Sequence, residues 1–259
     1  SAYNMQNLQM GSADFHFSKD SQRGYIDSLD FSVNGVHADL QRSQHTVDIA
    51  YLPLPDVLLP GDSVYIQSPF YVKLQDLFCR PGHYEQAYYV SQWYPKPAVY
   101  DEEGWHVMSY LSMGEFYSEY GSYDVTISLP ANYSLAASGG LANTDEKKRL
   151  LQVADNPDSF AANSFPRSIN RMKTLRYKAK NVHDFAWFAD KRFLIGHKSI
   201  EITGRDAPVD VWAYYLPESA ELWGKATGYI ASALRFYSEE LGPYPYPSCT
   251  AVLSDVSDI

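Results

Sequence analysis

The chain has 259 residues, is 45% hydrophobic and 15% aromatic, and carries a formal net charge of −10. That composition supports one large or two modest packed domains and excludes a disordered chain. Its 21 Lys and Arg are spread thinly, with Lys147-Lys148-Arg149 the one tight run, so neither a nucleic-acid surface nor a polybasic membrane patch is expected. No stretch approaches the roughly 18 apolar residues of a membrane helix. The opening Ser1-Ala2-Tyr3-Asn4 has no basic and then apolar leader pattern, and a trimmed or processed chain is expected.

Along the first two thirds, short extended segments alternate with turns. Residues 47–52, 63–67 and 70–74 read as strands, with Pro60-Gly61-Asp62 as a turn between the first two. Residues 123–129 place an apolar side chain at every second position, which puts one strand face on a core. Pro130-Ala131-Asn132 then turns into a strand over 133–137, closed by Gly139-Gly140. Strands are also expected over 174–179, 200–202 and 209–214, and the more fully apolar 184–189 reads as a strand buried on both faces. This many strands at short spacing predict a mainly β fold, an antiparallel β-sandwich or saddle-like sheet, over 1–216.

The period changes after Pro217. Leu222, Ala226, Tyr229, Ala233, Tyr237 and Leu241 recur at steps of three and four. They predict a helix over 218–241 with that face on a core. Gly242-Pro243 stops it, and 250–253 reads as one more strand. A long helix and a strand make a poor end for a domain. Residues 217–259 are therefore expected to be the truncated start of a second domain.

No His-Glu-x-x-His, no Gly-x-Ser-x-Gly and no phosphate-binding glycine loop occurs, and no two histidines stand four apart. The expectation is no catalytic residue and no metal ligand in this chain, which should be inactive by itself. Cys79 and Cys249 form no Cys-x-x-Cys pair, and whether they pair with each other is open. Asp101-Glu102-Glu103-Gly104 could offer carboxylates for glycoside hydrolysis or calcium. Its glycine and apolar flanks favour a solvated hairpin turn instead. The 22 tyrosines leave a glycan- or peptide-binding β-sandwich module as an alternative, with core packing as their ordinary role.

Three segments in order resemble one family. Ser91-Gln92-Trp93-Tyr94-Pro95-Lys96-Pro97-Ala98-Val99-Tyr100-Asp101, with Gly104-Trp105-His106 after it, resembles the amino-terminal domain of the membrane alanyl aminopeptidase-like zinc metallopeptidases, most of all their bacterial branch. Asn181-Val182-His183-Asp184-Phe185-Ala186-Trp187 through Val209-Asp210-Val211-Trp212 is similar to that domain's last strands. Leu234-Arg235-Phe236-Tyr237 through Leu241-Gly242-Pro243-Tyr244-Pro245-Tyr246-Pro247 to Val252-Leu253 looks like the helix, linker and first strand of the catalytic domain. The resemblance implies a saddle-like β domain (first strands missing) followed by the opening elements of an α+β thermolysin-like domain. It implies a parent that hydrolyses amino-terminal residues from peptides with zinc, and a missing catalytic domain as this chain's partner. An inactive scaffold relative is the alternative within the family. No cofactor is implied for this chain itself. Gln92 is the residue the resemblance implies for substrate binding, lining the pocket for the substrate's first residue. An exported, periplasmic or cell-envelope setting is implied by the resemblance alone.

Overall fold

A computed structural model describes residues 1–76, 81–114, 116–156 and 164–254; Cys79, and with it the pairing question, lies outside them. In chain order the early elements are α1 (Ala2–Gln9), α2 (Asp14–Phe17), β1 (Tyr25–Asp27), β2 (Ser32–Val33), β3 (Val36–His37), β4 (Gln41–Arg42), β5 (Ala50–Tyr51), β6 (Ile66–Gln67) and β7 (Tyr71–Lys73). There follow β8 (Gly82–Tyr84), β9 (Ala87–Val90), β10 (Val99–Asp101), β11 (Gly104–His106), β12 (Gly121–Pro130), β13 (Ser134–Ala137), β14 (Gly140–Leu141) and α3 (Thr144–Asp155). The chain continues through β15 (Met172–Val182), β16 (Trp187–Asp190), β17 (Leu194–Ile200), β18 (Val209–Tyr215), α4 (Ala220–Trp223), α5 (Ala226–Leu241) and β19 (Ser248–Val252). Strands take 33% of the chain against 21% for helices, so the class is mainly β.

Two compact units are present. The first comprises 1–82 and 93–119. It is built of small antiparallel pairs, β1 with β7, β3-β2-β6, β4 with β5, and β10 with β11. Tyr3, Val33 and Val99 are buried in this unit, and Tyr3 meets Phe15 edge-on with ring centroids 4.9 Å apart. Gln6 ties α1 down, accepting from the Met113 amide at 2.8 Å and donating to its carbonyl at 2.9 Å. The acidic run forms the expected hairpin: β10 and β11 pair around it, with Gly104 at φ 103°. The His106 imidazole, 2.7 Å from Asp101, holds that carboxyl below its ordinary range.

The second unit comprises 83–92 and 120–259. Its sheets run β12-β15-β14, β13-β16-β9-β8 and β17-β18-β19. The alternating segment at 123–129 forms the long β12, paired along its length with β15. Tyr89, Leu135, Phe185 and Tyr177 are buried in this unit. The Tyr177 hydroxyl is satisfied there by donating to the Leu135 carbonyl at 2.9 Å. In the third sheet β18 pairs antiparallel with β17 and parallel with β19. A parallel neighbour needs a crossover, and α4 and α5 supply it. The 3-10 turn Pro217–Ser219 and the break at Gly224 and Lys225 divide the expected helix into pieces.

The helix face differs from the sequence expectation. Leu222, Tyr229, Tyr237 and Leu241 are exposed, Leu241 at 82%. The face on the sheet carries Thr227 and Ala231, with Ile230 and Leu234 beside them, against Ile200, Val209 and Val211. Small residues let the helix approach closely: a Cβ on Gly196 would lie 3.2 Å from the Thr227 methyl. An exposed apolar face with Tyr229 and Tyr237 therefore points away from the sheet.

Helix α3 has only Leu150 and Val153 buried and is fastened by charge. The Glu146 carboxylate, 10% exposed, accepts from Lys173 at 2.6 Å and Arg149 at 2.7 Å. Burial pushes the Glu146 carboxyl up, but the Arg149 and Lys173 bonds outweigh it and hold the group below its ordinary value of 4.5. The Lys173 amine is itself pushed down by burial despite Glu146 beside it. That shift acts in the alkaline range and leaves the acid window untouched. A carboxyl with a lowered folded pKa gives stability that is present above 4.5 and lost as pH falls through the folded value. Glu146→Gln is expected to lower stability at pH 7 by about 1.5–3 kcal/mol. It should also flatten the acid limb below 4.5. Urea unfolding at stepped pH reads both effects; an unchanged acid limb would refute this account of α3.

Candidate functional site

Gln92 follows a well-buried inner strand of its sheet. Strand β9 lies between β16 and β8, and its Ala87, Tyr89 and Val90 are at most 1% exposed. Such a strand cannot shift register without moving these side chains to the wrong face. Two residues beyond it, Gln92 is half-buried and adopts φ 51°. Left-handed backbone costs a non-glycine residue roughly 1–2 kcal/mol. A residue held there by its surroundings is a reasonable place to look for function. Beyond Gln92 the chain enters the first unit at Trp93, where the Trp93 ring sits 5.4 Å from Tyr94 and 6.0 Å from Phe70. Pro95 and Pro97 stiffen the segment.

The sequence reading did not single out a second concentration of polar groups. Asp210 on β18 accepts from Lys147 of α3 at 2.6 Å and lies 2.9 Å from the His197 Nε2 of β17. His197 also lies against Trp212, ring centroids 4.2 Å apart, its direct cross-strand partner. Burial pushes the Asp210 carboxyl up, and the bonds from Lys147 and His197 reverse this and hold it below the ordinary value. One sequence feature could have flagged it: Asp210 is the acid inside the otherwise apolar run 209–215. A cavity of about 230 Å³ opens beside this group, lined by Ala136, Gly140, Leu150, Tyr177, Trp212 and Thr250 among others.

Among the described residues, no group of three or more His, Cys, Asp or Glu side chains could hold a metal ion. Zinc therefore does not fit the residues described here. No helix among the described residues is long and apolar enough to cross a membrane.

No family profile and no curated protein sequence matches the chain. Solved structures do match. The M1 zinc metallopeptidase from Deinococcus radiodurans aligns with a TM-score of 0.52 and 17% identity, over 91% of this chain and 48% of that one. A two-domain M1 zinc metallopeptidase variant bound to L-tryptophan aligns at 0.52 and 18%, over 90% of this chain and 49% of that one. Legionella pneumophila aminopeptidase A, in complex with aspartic acid, aligns at 0.50 and 12%, over 92% of this chain and 25% of that one. The chain thus spans about half the length of the first two. At this identity the likeness establishes a fold: the chain is built like about half of an M1 zinc metallopeptidase.

Proposed function

We propose that this chain is the non-catalytic amino-terminal portion of a zinc-dependent aminopeptidase of the bacterial branch. The β-rich part, 1–216, caps the catalytic domain, and 217–259 is that domain's opening. The observation that carries this reading is the fold likeness over nine-tenths of the chain and about half of the peptidases. The Gln-Trp-Tyr-Pro-Lys segment falls at the turn after β9, and the exposed face of α5 offers a surface for the remainder to cover.

In the parent, zinc held by ligands elsewhere supplies a Lewis acid and an activated water. This chain's contribution is positional. The buried β9 fixes where Gln92 emerges, and its left-handed turn sets the direction of its amide. That amide can accept from a peptide's amino terminus through Oε1 and donate from Nε2 to a side chain or carbonyl. Losing such a bond to a charged group costs about 1.5–3 kcal/mol. Gln92→Ala in the parent enzyme is therefore expected to raise KM for aminoacyl substrates by about tenfold or more, with kcat changed much less. Steady-state kinetics on a series of aminoacyl amides reads the split. An unchanged kcat/KM across the series would remove Gln92 from the pocket.

A further inference from the structure

The cavity beside Asp210 is lined by three layers of the second unit: the β13–β14 turn, α3, and the third sheet with its parallel strand β19. Its walls are aromatic and aliphatic, through Tyr177, Trp212, Tyr214, Leu141 and Leu150. Its charged groups are Lys147 and Asp210. Each has capacity left. An ammonium carries three donors, and Lys147 gives one to Asp210. A carboxylate has about four acceptor positions, of which, among the described residues, Lys147 and His197 use two. The Lys147 side chain is 43% exposed and that of Asp210 26%, so both can be reached.

We propose that this cavity binds a free α-amino acid with an apolar side chain. The pair of opposite charges, 2.6 Å apart, matches a ligand that carries its own opposite charges side by side. The ligand carboxylate takes a second donor of Lys147, and its ammonium takes an open acceptor of Asp210 near the Trp212 face. A simple anion would meet Asp210, and a simple cation would meet Lys147, so the neutral pair selects a zwitterion over either ion. A volume of about 230 Å³ holds roughly eight waters at about 30 Å³ each. It is smaller than the usual 300–1,000 Å³ of ligand pockets, which suits one amino acid and not a peptide. The apolar walls select the side chain. This site stands on its own geometry and does not require the function proposed above. If both hold, an amino acid released by the parent would meet a second site on it.

The test is calorimetric titration of the whole chain with L-leucine and L-phenylalanine, beside N-acetyl-L-leucine and L-leucinamide, which each lack one charge. Two variants accompany it. Lys147→Met removes the carboxylate partner while Glu146 and Lys173 keep α3 in place. Gly140→Leu fills space, because a Cβ at Gly140 meets nothing within 4 Å. The expected result is saturable binding of the free amino acids with a dissociation constant on the order of 1 mM. Both blocked forms and both variants should bind at least about tenfold more weakly, the variants keeping the parent melting temperature. Three results would overturn the proposal: no saturation by about 20 mM, equal binding of the blocked forms, or unchanged affinity in a folded variant of either kind.

Discussion

Replacing Asp190 with alanine is expected to cost the second unit about 3–5 kcal/mol. Asp190 ends β16 with its side chain fully buried, and the paired Arg192 side chain is only 10% exposed. The carboxylate accepts from the Arg192 amide at 2.8 Å, from Nε at 3.1 Å and from Nη2 at 2.6 Å. The guanidinium also lies 3.9 Å over the Phe165 ring. Taking the acid away leaves a buried cation and a backbone amide without that partner, which costs far more than the pair itself is worth. Asp190→Asn keeps the shape and some of the bonds and should lose less. Since a whole domain is held by about 5–15 kcal/mol, the alanine variant should lower the melting temperature by roughly 6–20 °C, at about 2–4 °C per kcal/mol. Urea and thermal unfolding followed by far-ultraviolet circular dichroism read this. A loss below about 1 kcal/mol would mean the pair is solvated in solution.

A change of comparable size is expected at Gly139. It joins β13 to β14 at φ 80°. A Cβ there would stand 2.3 Å from the Lys178 carbonyl oxygen and 2.8 Å from the Ala179 Cβ. Both obstacles belong to the body of β15, which is paired on both sides by β12 and β14 and has no room to retreat. The Gly139 carbonyl meanwhile accepts from the Ser248 hydroxyl at 3.1 Å, so this turn also touches β19. Gly139→Ala combines left-handed strain of roughly 1–2 kcal/mol with an overpacking cost of about 1–3 kcal/mol. A total of about 2–5 kcal/mol is expected, against near-neutrality for Gly140→Ala next to it, where nothing lies within 4 Å. The contrast between adjacent glycines is the measurement. Equal stability of the two variants would contradict the close approach.

Much of the second unit is readable because its longer strands carry a clear burial pattern, alternating in β12 and continuous in β18. The alternation at 123–129 forms within β12 and the apolar 209–214 forms within β18; in the first unit the hairpin at 101–104 forms as its glycine and flanks require. The first unit is less readable. The segments expected at 47–52 and 63–67 yield only the two-residue strands β5 and β6. Val47, Tyr51, Tyr65 and Ile66 there are exposed, so their β-propensity has little burial to reinforce it. Helix α3 escapes a periodicity reading because few of its residues are apolar, and what fastens it, Lys173, is 27 positions from Glu146. The helix face differs from the periodicity because the largest exposed side chains of α5 point outward and the contact is made by Thr227 and Ala231 with Ile230 and Leu234 beside them. A period identifies a stripe, but close packing against a sheet is decided by size.

The two sites differ in the same way. Gln92 entered through a resemblance, and its left-handed backbone is a property of the folded chain that no residue type announces. The group Lys147, His197 and Asp210 comes from α3, β17 and β18; Asp210 stands out in sequence as a charge in an apolar strand and Lys147 as part of the one tight basic run, but nothing in the sequence joins them. The partners of Asp210 are 63 and 13 positions away.

The central claim, that this chain is part of a zinc aminopeptidase, is tested most directly by reading the parent coding sequence past the Ile259 codon. The account predicts an open frame that within about 100–200 codons, one domain's length, supplies a His-Glu-x-x-His helix and a further downstream Glu as zinc ligands. A frame that closes within a few codons, or one that continues without those ligands, would contradict it.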